Sequence, residues 1–448
     1  MKTEMTKKDL KDFLLNSSDR DFADVIEYMH PVDILDTIHE CSEEEVEKIL
    51  NRLSDEDVAD LLEEEDDEER YDFLKGLSAK RQHEVLEEMS SDERADFVGA
   101  LNETESKDVL SKLTSEDKQE VTELLKYDPE TAGGLMATEY ITIRDNRTVL
   151  KTLEYLQTVI QDAESIYYLY VTDRANHLKG VIALRDLVSS LFDKKISEIT
   201  NPNVVSVNVK DDQETVANVF DKYDYMVLPV VDDQNVLKGV ITVDDVIDVI
   251  KEETNEDFNR MAGLGSEEKV DDTLPEALRS RLPWLIINLA TAVLAAACVA
   301  KFSATIEAIV ALAAINPIIA GMGGNAGTQS LTLIVRGIAL GELDKENGRK
   351  IFFKEFGVGL LSGAVIGAIV AVGCQIFYHN WYLGLVTFLA MVGNMVVATV
   401  TGFLVPVILK KVNIDPALAS TVFVTTFTDC CGFLLFLGLA TAFLPKLV

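Results

Sequence analysis

The sequence predicts a multidomain membrane protein: an α-helical superhelical N-terminal domain, a tandem α/β pair, a connecting helix and five transmembrane helices. Three observations predict this architecture: an uneven distribution of charge, two internal repeats in the first half, and five apolar segments in the second half. A length of 448 residues allows two to four domains. The predicted boundaries are 1–127 for the helical domain, 128–198 and 199–250 for the α/β pair, 251–280 for the connecting helix and linker, and 281–448 for the membrane domain.

The charge of the chain is concentrated in its first part. The net charge is −35, of which the first 280 residues carry −38 and the residues from Arg281 onward carry +3. An acidic surface of this size argues against binding to nucleic acid or anionic lipid, and it attracts cations. The five cysteines show no metal-ligand spacing, so we interpret them as small apolar residues.

A 12-residue repeat predicts the helical domain. It runs over residues 41–124, and units such as "LSDEDVADLL" and "MSSDERADFV" share a polar second position after an apolar first one. The residues at the second position favour helix N-caps. They are Ser42, Ser54, Asp66, Ser78, Ser90, Asn102 and Thr114. We therefore predict short helices of about two turns that stack as a superhelix, in which His83 is a surface or packing residue.

A second repeat has a spacing of 59 residues. "YVTDRANHLKGVIALRDLV" at 170–188 matches "PVVDDQNVLKGVITVDDVI" at 229–247, and each copy has the pattern strand, turn, strand, helix. At this point the chain resembles a tandem pair of CBS domains, which often bind adenine nucleotides such as ATP. The resemblance implies that Tyr168, Arg185 and Tyr225 contact such a ligand. The same pattern also fits a pair with a purely structural role.

The connecting segment 242–264 combines an apolar stripe with many acids. The apolar residues of the stripe are Val246, Ile247, Val249, Ile250, Phe258 and Met261. Seven acids fall within fourteen residues on the remaining faces, and their mutual repulsion should weaken the helix. Either these acids form a solvated face, or a divalent cation relieves their repulsion and stiffens the helix.

Five apolar segments are long enough to span a bilayer: 283–300, 303–323, 355–378, 382–409 and 418–444. The loops that connect these segments alternate between basic and nearly uncharged. The basic residues are Arg336, Lys345, Arg349, Lys350, Lys354, Lys410 and Lys411. The positive-inside rule places the N-terminus in the cytoplasm and the C-terminus outside the cell membrane. The N-terminal residues have no apolar core, so they predict no signal peptide.

Two features of these spans suggest a function. The last span carries one acid, Asp429, with no basic residue in 421–440 to pair with it. A central Asp costs roughly 2.5–3.5 kcal/mol on translocon scales and is therefore a functional candidate. The run "INPIIAGMGGNAGTQS" at 315–330 predicts irregular backbone that lines a pore. Close helix packing is the alternative explanation for its glycines.

The chain has a helical acidic domain, a CBS pair, an acidic connecting helix and five spans in that order. With this order it resembles the MgtE family of magnesium transporters over nearly its entire length. The motifs that carry the resemblance are "YDPETAGGLMATEYITI", "NPIIAGMGGNAGTQS", "LIVRGIALGE", "KEFGVGLLSG", "NIDPALAS" and "FTDCCGF". The resemblance implies a homodimer with one ion path near its two-fold axis. Asp429 then occupies the pore carboxylate position, with Gly324 and Asn325 in a nearby turn. Thr328 stands where some members have a second amide.

The resemblance also implies that cytosolic magnesium, bound between the soluble domains, closes the pore. The acids at the corresponding positions are Asp60, Asp92, Asp212, Glu214, Asp221, Asp224, Asp245, Asp248, Glu253, Glu256, Asp257 and Asp415. Oxygen ligands suit Mg²⁺, and the sequence has no Cys/His cluster for zinc or copper. It shows no nucleophile–base pair or phosphate loop either, so we predict a transporter or channel and not an enzyme. The alternatives are a broader divalent-cation pathway, for cobalt or manganese, and a membrane-anchored ligand sensor.

Overall fold

The computed structural model describes residues 7–26, 28–65, 67–160, 163–265, 268, 270, 272–343, 347–418 and 421–447. It divides into two compact units, Met1–Ile250 and Lys251–Val448. Asp66 and Lys345, named above as a cap and a loop cation, lie outside the described residues.

Short helices form the first part of unit 1. They are α1 (Lys7–Asn16), α2 (Asp19–Ile26), α3 (Pro31–Ile38), α4 (Glu43–Leu50), α5 (Asp55–Glu63), α6 (Asp67–Gly76), α7 (Ala79–Glu88), α8 (Ser91–Ala100), α9 (Glu103–Lys112) and α10 (Ser115–Leu124). The repeat at 41–124 correctly predicts the starts of α4, α5 and α7–α10. For example, Ser54 accepts a hydrogen bond from Asp57 N and Thr114 accepts one from Asp117 N. The preceding apolar residues, among them Leu53 and Met89, are buried in the core.

Two small sheets with matching topology form the rest of unit 1. Their strands are β1 (Thr142–Arg144), β2 (Tyr168–Thr172), β3 (Leu178–Ala183), β4 (Val207–Asn208), β5 (Val227–Val231) and β6 (Leu237–Thr242). The helices between them are α11 (Val149–Val159), α12 (Leu184–Ser189), α13 (Ile196–Ile199) and α14 (Gln213–Tyr223). In each sheet the first two strands are parallel and the last two are antiparallel.

The two sheets exchange backbone hydrogen bonds at their turns. Leu178 N donates to Asn235 O, and Leu237 N donates to Asn176 O, both at 3.0 Å. Asn176 and Asn235 have positive φ angles, a conformation that asparagine tolerates in tight turns. The repeat of 59 residues therefore corresponds to a reciprocal pairing of two similar halves.

The connecting helix is α15 (Val243–Ala262), of which residues 251–262 belong to unit 2. Its predicted apolar stripe is only partly buried. Val246 and Val249 join the core of unit 1, whereas Ile247, Ile250 and Phe258 are exposed. The predicted helix is confirmed. Its periodicity alone does not indicate which apolar residues are buried against another element.

Unit 2 contains five long helices and two short ones within its described residues. They are α16 (Leu274–Ala300), α17 (Ser303–Ala308), α18 (Ala311–Ala339), α19 (Gly348–Tyr378), α20 (Trp381–Lys411), α21 (Thr421–Ala442) and α22 (Leu444–Leu447). Of the described helices, α16, α19, α20 and α21 are long and apolar enough to cross a membrane. α18 has the necessary length, but its glycines and amides make it less apolar. The predicted second span at 303–323 is wrong in its bounds, because the chain leaves the helix at Ile309 and Val310.

The prediction of irregular backbone at 315–330 is also wrong. These residues lie inside the continuous helix α18, so Gly324 and Asn325 do not form a turn. The glycines allow neighbouring helices to approach instead. A Cβ added to Gly327 would lie 2.6 Å from Val424 Cγ1, and one added to Gly323 would meet the Asn394 side chain. The alternative explanation, close helix packing, is therefore correct for these two glycines.

Candidate ion pathway and cation-binding acids

Asp429 lies near the middle of α21, a helix that packs against α16, α18 and α20. Its side chain is half-buried, and within the described residues no hydrogen bond or ion pair reaches its carboxylate. Thr425 lies one turn earlier on the same face of the helix. A Cβ added to Gly324 of α18 would lie 3.4 Å from Thr425 Cγ2. The structure thus brings Gly324 to within one helical turn of Asp429.

Asn325 lies on an exposed stretch of α18. Gly321, Asn325 and Gln329 follow one another at four-residue spacing, and all three are exposed. They form a polar face on a helix whose opposite side is buried in the cluster around Ile315 and Ile319. We call Gly321, Asn325 and Gln329 the open face of α18.

A buried amide lies beside the turn of α21 that follows Asp429. Asn394 of α20 is fully buried, and its Nδ2 donates to Ile319 O at 2.8 Å. A Cβ added to Gly432, in the turn after Asp429, would lie 2.9 Å from three atoms of this amide. The Asn394 Oδ1 atom is buried without a hydrogen-bond partner among the described residues. Asn394 therefore fixes the crossing of α18, α20 and α21 beside the candidate ion path.

A buried carboxylate in unit 2 was missed by the sequence analysis. Glu355 of α19 is 3% exposed, and Ser330 of α18 donates to its Oε2 at 2.8 Å. The Ser330 hydroxyl also lies 3.0 Å from Thr399 O of α20. The predicted third span begins at residue 355, which would place Glu355 at its end. The helix in fact begins at Gly348, so Glu355 lies two turns inside it.

In unit 1 two of the predicted acids come close together. Asp92 of α8 is 8% exposed. Burial, together with the nearby carboxylate of Asp245, raises the pKa of Asp92 well above its ordinary value. Burial also raises the pKa of Asp245, although its carboxylate accepts a hydrogen bond from the Thr242 hydroxyl. Asp92 and Asp245 thus form a group in which negative charge is unfavourable.

Glu164 joins this group, and the sequence analysis missed it. Burial, followed by the charges of Asp245 and Glu139, raises the pKa of Glu164 to about 7. Its backbone N–H donates to Glu139 O at 2.9 Å, which holds it beside the start of the first sheet. Only the spacing of the acids was available from the sequence, and 81 positions separate Glu164 from Asp245. We call Asp92, Glu164 and Asp245 the buried acid group, after Asp92, which is its buried member; Asp245 is half-buried and Glu164 is exposed.

The remaining predicted acids of unit 1 do not join the buried acid group. Asp60 is exposed on α5, and Asp248 is exposed on α15. Asp212 and Glu214 lie at the start of α14, where Asp212 caps the helix by accepting from Glu214 N. Asp221 and Asp224 lie at its other end, about 14 Å away at 1.5 Å per residue. The four acids of α14 therefore cannot bind one ion together within a single chain.

In unit 2 the end of α15 meets the loop after α20. Arg260 forms ion pairs with Glu256 and with Asp415. Burial, and then the charges of Asp415 and Glu253, raise the pKa of Asp257 to about 6. Three predicted ligands, Glu256, Asp257 and Asp415, are thus brought together around an arginine.

Two of the three predicted nucleotide residues, Tyr168 and Arg185, line a cleft between the two sheets, whereas Tyr225 is not among its lining residues. The cleft has a volume of about 360 Å³ and is lined by Ile166, Tyr167, Tyr168, Ala183, Leu184, Arg185 and Met226. Tyr225 stacks on Tyr223 with ring centroids 5.7 Å apart. Arg185 is highly exposed, so its guanidinium is available to a ligand in the cleft.

Comparison with known proteins matches three parts of the chain to family models. Residues 29–130 match the MgtE intracellular N domain, and 132–193 and 196–252 match the CBS domain. Residues 316–439 match MgtE, a divalent cation transporter family. The magnesium transporter MgtE of Enterococcus faecalis is 39% identical over 329 residues, which cover 73% of this chain and 72% of that protein. The chain belongs to the MgtE family.

Other MgtE proteins support the same assignment. The magnesium transporter MgtE of Thermus thermophilus is 39% identical over 326 residues and is covered to 72% of its length. A crystal structure of the cytosolic domain of the Mg²⁺ channel MgtE in complex with ATP is 38% identical, with a TM-score of 0.52. The match covers 55% of the present chain and 100% of the crystallised cytosolic domain. These matches confirm the predicted family, the helical N-terminal domain and the CBS pair.

Proposed function

We propose that this chain transports magnesium across the cell membrane as a homodimer, with two Asp429 carboxylates at one ion path. The observation that carries the proposal is the Asp429 carboxylate, which lies in the middle of an apolar helix without a partner in the described chain. Relatives named magnesium transporters make Mg²⁺ the favoured cargo.

A second copy of the chain would allow the free-energy cost of the unpaired Asp429 carboxylate to be offset by a shared cation. Two carboxylates balance the charge of one divalent cation, and attraction is stronger in a water-poor site, although desolvation offsets part of it. Mg²⁺ keeps several of its waters, so a site with few direct ligands suits it. The open face of α18, in which Asn325 directly follows Gly324 in the sequence, would supply amide oxygens along the path.

The experiment is Mg²⁺ flux into liposomes that contain wild-type protein, Asp429→Ala or Asp429→Asn, with the cytosolic side free of magnesium. We expect flux in the wild type and its loss in both variants, with dimer formation unchanged. Thr426→Ala is the matched control, because the Thr426 hydroxyl donates to Val422 O of its own helix. Equal flux in the wild type and both Asp429 variants would refute the role of this carboxylate.

The orientation in the membrane is part of the proposal. With the N-terminus in the cytoplasm and the C-terminus outside, the basic ends of α18, α19 and α20 lie on the cytoplasmic side. The described basic residues there are Arg336, Arg349, Lys350, Lys354, Lys410 and Lys411. Labelling of single cysteines by a membrane-impermeant reagent in intact cells tests this topology. Labelling at the α16–α17 turn but not at the α20–α21 loop is the expected result.

Regulation by cytosolic magnesium follows from the acids of the soluble part. The buried acid group and the acids around Arg260 bring negative charges together, and a divalent cation would relieve their repulsion. The remaining members of the proposed set, Asp60, Asp212, Glu214, Asp221, Asp224, Asp248 and Glu253, would act at contacts between domains or subunits. Magnesium would then favour the closed arrangement by its higher affinity for that state.

Flux at controlled cytosolic magnesium tests this regulation. Asp92→Asn and Asp245→Asn should keep the path open at a millimolar concentration that closes the wild type. Asp193→Asn, which removes an exposed acid of the first CBS domain, is the matched control. If the ion path of both variants closes at the same magnesium concentration as that of the wild type, the buried acid group is not part of the sensor.

Binding of ATP in the CBS cleft is a further part of the proposal. The related cytosolic domain crystallised with ATP, and the cleft here offers the Tyr168 ring and the Arg185 guanidinium. Tyr168→Ala should weaken ATP binding roughly 5- to 150-fold, since stacking of a base on an aromatic ring is worth about 1–3 kcal/mol. Arg185→Ala should also weaken it, because the guanidinium can no longer contact the phosphates. Equilibrium binding to the purified protein measures this. Unchanged affinity in both variants would place the ATP site away from Tyr168 and Arg185, and no ATP binding to the wild type would favour a purely structural CBS pair.

A broader selectivity is the alternative within the same class, because the family model describes divalent cation transporters. Flux measured in the presence of competing Co²⁺ or Mn²⁺ distinguishes the two. A membrane-anchored sensor without an ion path would show no flux in any variant.

A further inference from the structure

Unit 1 contains a histidine and two glutamates whose ligand atoms converge. His39 follows the last residue of α3, Glu65 precedes α6, and Glu69 lies in the first turn of α6. The distances from His39 Nε2 are 2.9 Å to Glu65 Oε2 and 3.8 Å to Glu69 Oε2. All three ligand atoms lie within 4.8 Å of one another. A metal bound at about 2.1 Å from each ligand requires ligand separations of about 3.4 Å, so small adjustments suffice.

The backbone around Glu65 is fixed by Arg70. This buried arginine donates through Nε to Glu65 O and through Nη2 to Glu63 O, each at 2.7 Å. Its Nη1 donates to Glu93 Oε2 at 2.8 Å, which anchors the guanidinium on α8. The Glu65 side chain is therefore preorganised at the base of the group, where it is 2% exposed.

The other two side chains leave the group open to solvent. The His39 side chain is 44% exposed and the Glu69 side chain 63% exposed. A cation can therefore reach the three ligand atoms, and water can complete its coordination. A simple ion pair between His39 and Glu65 would account for the short contact, but it does not require the second carboxylate of Glu69.

We propose that His39, Glu65 and Glu69 form a binding site for a first-row transition-metal dication such as Zn²⁺. An imidazole nitrogen with two carboxylates suits such ions, whereas Mg²⁺ prefers oxygen ligands alone. The site is thus chemically distinct from the all-carboxylate groups that we assign to magnesium. It lies entirely within the helical domain and does not depend on the proposed transport function.

Zn²⁺ titration of the full-length protein, purified in detergent without a polyhistidine tag, tests the site. Excess Mg²⁺ is present throughout, so that the oxygen-only sites are occupied. The variants are His39→Gln, Glu69→Gln and the matched control His83→Gln. His83 is suited as a control because its Nε2 also faces a glutamate, Glu87, at 3.5 Å, and its Nδ1 lies 2.7 Å from Lys112 O.

We expect His39→Gln to bind one Zn²⁺ fewer per chain than the wild type. Glu69→Gln should weaken that ion at least about tenfold, by analogy with the loss of supporting groups in other metal sites. Co²⁺ substitution gives a second readout, since the visible absorption of the wild-type complex should lose a component in His39→Gln but not in His83→Gln. Identical Zn²⁺ stoichiometry and Co²⁺ spectra in wild type and His39→Gln would overturn the proposal. Since no flux is measured, a failure here would leave the Asp429 experiment unaffected.

Discussion

Arg260 at the end of the connecting helix forms an ion pair with Asp415 in the loop after α20. The same guanidinium contacts Glu256, and Asp257 lies beside both acids. Asp415, Glu256 and Asp257 are all proposed magnesium ligands. A positively charged side chain of the protein therefore already occupies the centre of this acidic group, and a bound Mg²⁺ would have to share or displace it.

Removal of Arg260 should make the end of the connecting helix dependent on magnesium. In Arg260→Ala the three acids repel one another without a compensating charge, so amide hydrogen exchange in residues 251–262 should become faster in magnesium-free buffer. Millimolar Mg²⁺ should restore most of the protection. Arg281→Ala is the control, because Arg281 pairs with Glu268 instead. Equal exchange in wild type and Arg260→Ala without magnesium would show that the ion pair does not hold the helix end.

The features that sequence predicted well are local ones. The caps at Ser54 and Thr114 depend on residues three positions away, and the match between the two sheets depends on a repeat visible in the chain. Contacts between distant residues were missed. His39 and Glu65 are 26 positions apart, and Arg260 and Asp415 are 155 positions apart. Neither the caps nor the repeat indicates which acid will contact His39 or Arg260.

The error at 315–330 has a different cause. Glycine and proline disfavour helix by their intrinsic propensities, and this favoured irregular backbone. In α18 the packing of neighbouring helices overrides those propensities, because Gly323 and Gly327 permit approaches that larger residues would block. Pro317 lies in the second turn of the helix, where it interrupts few backbone hydrogen bonds.

Loss of the Ser330 hydroxyl should destabilise unit 2. In Ser330→Ala the buried Glu355 carboxylate loses a donor, and an unsatisfied buried group costs about 1–3 kcal/mol. The melting temperature of the protein in detergent should therefore fall by several degrees. Ser362→Ala is the matched control on α19, because Ser362 donates to Val358 O of its own helix on the exposed side. If the two variants melt alike, the contact between α18 and α19 adds no stability.

Gly402 of α20 should not tolerate a methyl group. A Cβ at this position would lie 2.6 Å from Gly327 O and 2.9 Å from Leu331 N, and neither backbone atom can move aside independently. Gly402→Ala should thus separate α18 from α20, at a cost of about 1–3 kcal/mol or more, and should lower both thermal stability and flux. Gly337→Ala is the control, since no atom lies within 4 Å of the added Cβ. Wild-type stability of Gly402→Ala would show that the helices can separate without cost.

The turn between β2 and β3 should contribute stability that depends on pH. The carboxylate of Asp173 accepts hydrogen bonds from the His177 ring and from the backbone N–H groups of His177 and Ala175. These bonds lower the pKa of Asp173 to about 2, the ring contact with His177 being the largest cause. Because this folded-state pKa lies below the unfolded value of about 3.9, the stabilisation is complete above that value and is lost as the pH falls toward 2.

Comparison of Asp173→Asn with wild type between pH 7 and pH 3 tests this expectation. The variant should melt at a lower temperature from pH 7 down to about pH 5, because the charged acceptor is missing. The difference should then narrow below about pH 4, because Asp173 of the unfolded wild-type chain takes up a proton there while the folded carboxylate stays ionised until about pH 2. Asp193→Asn, at an exposed position of the same CBS domain, controls for the general loss of one acid. A difference in melting temperature that stays constant down to pH 3 would show that ionisation of Asp173 does not stabilise the turn.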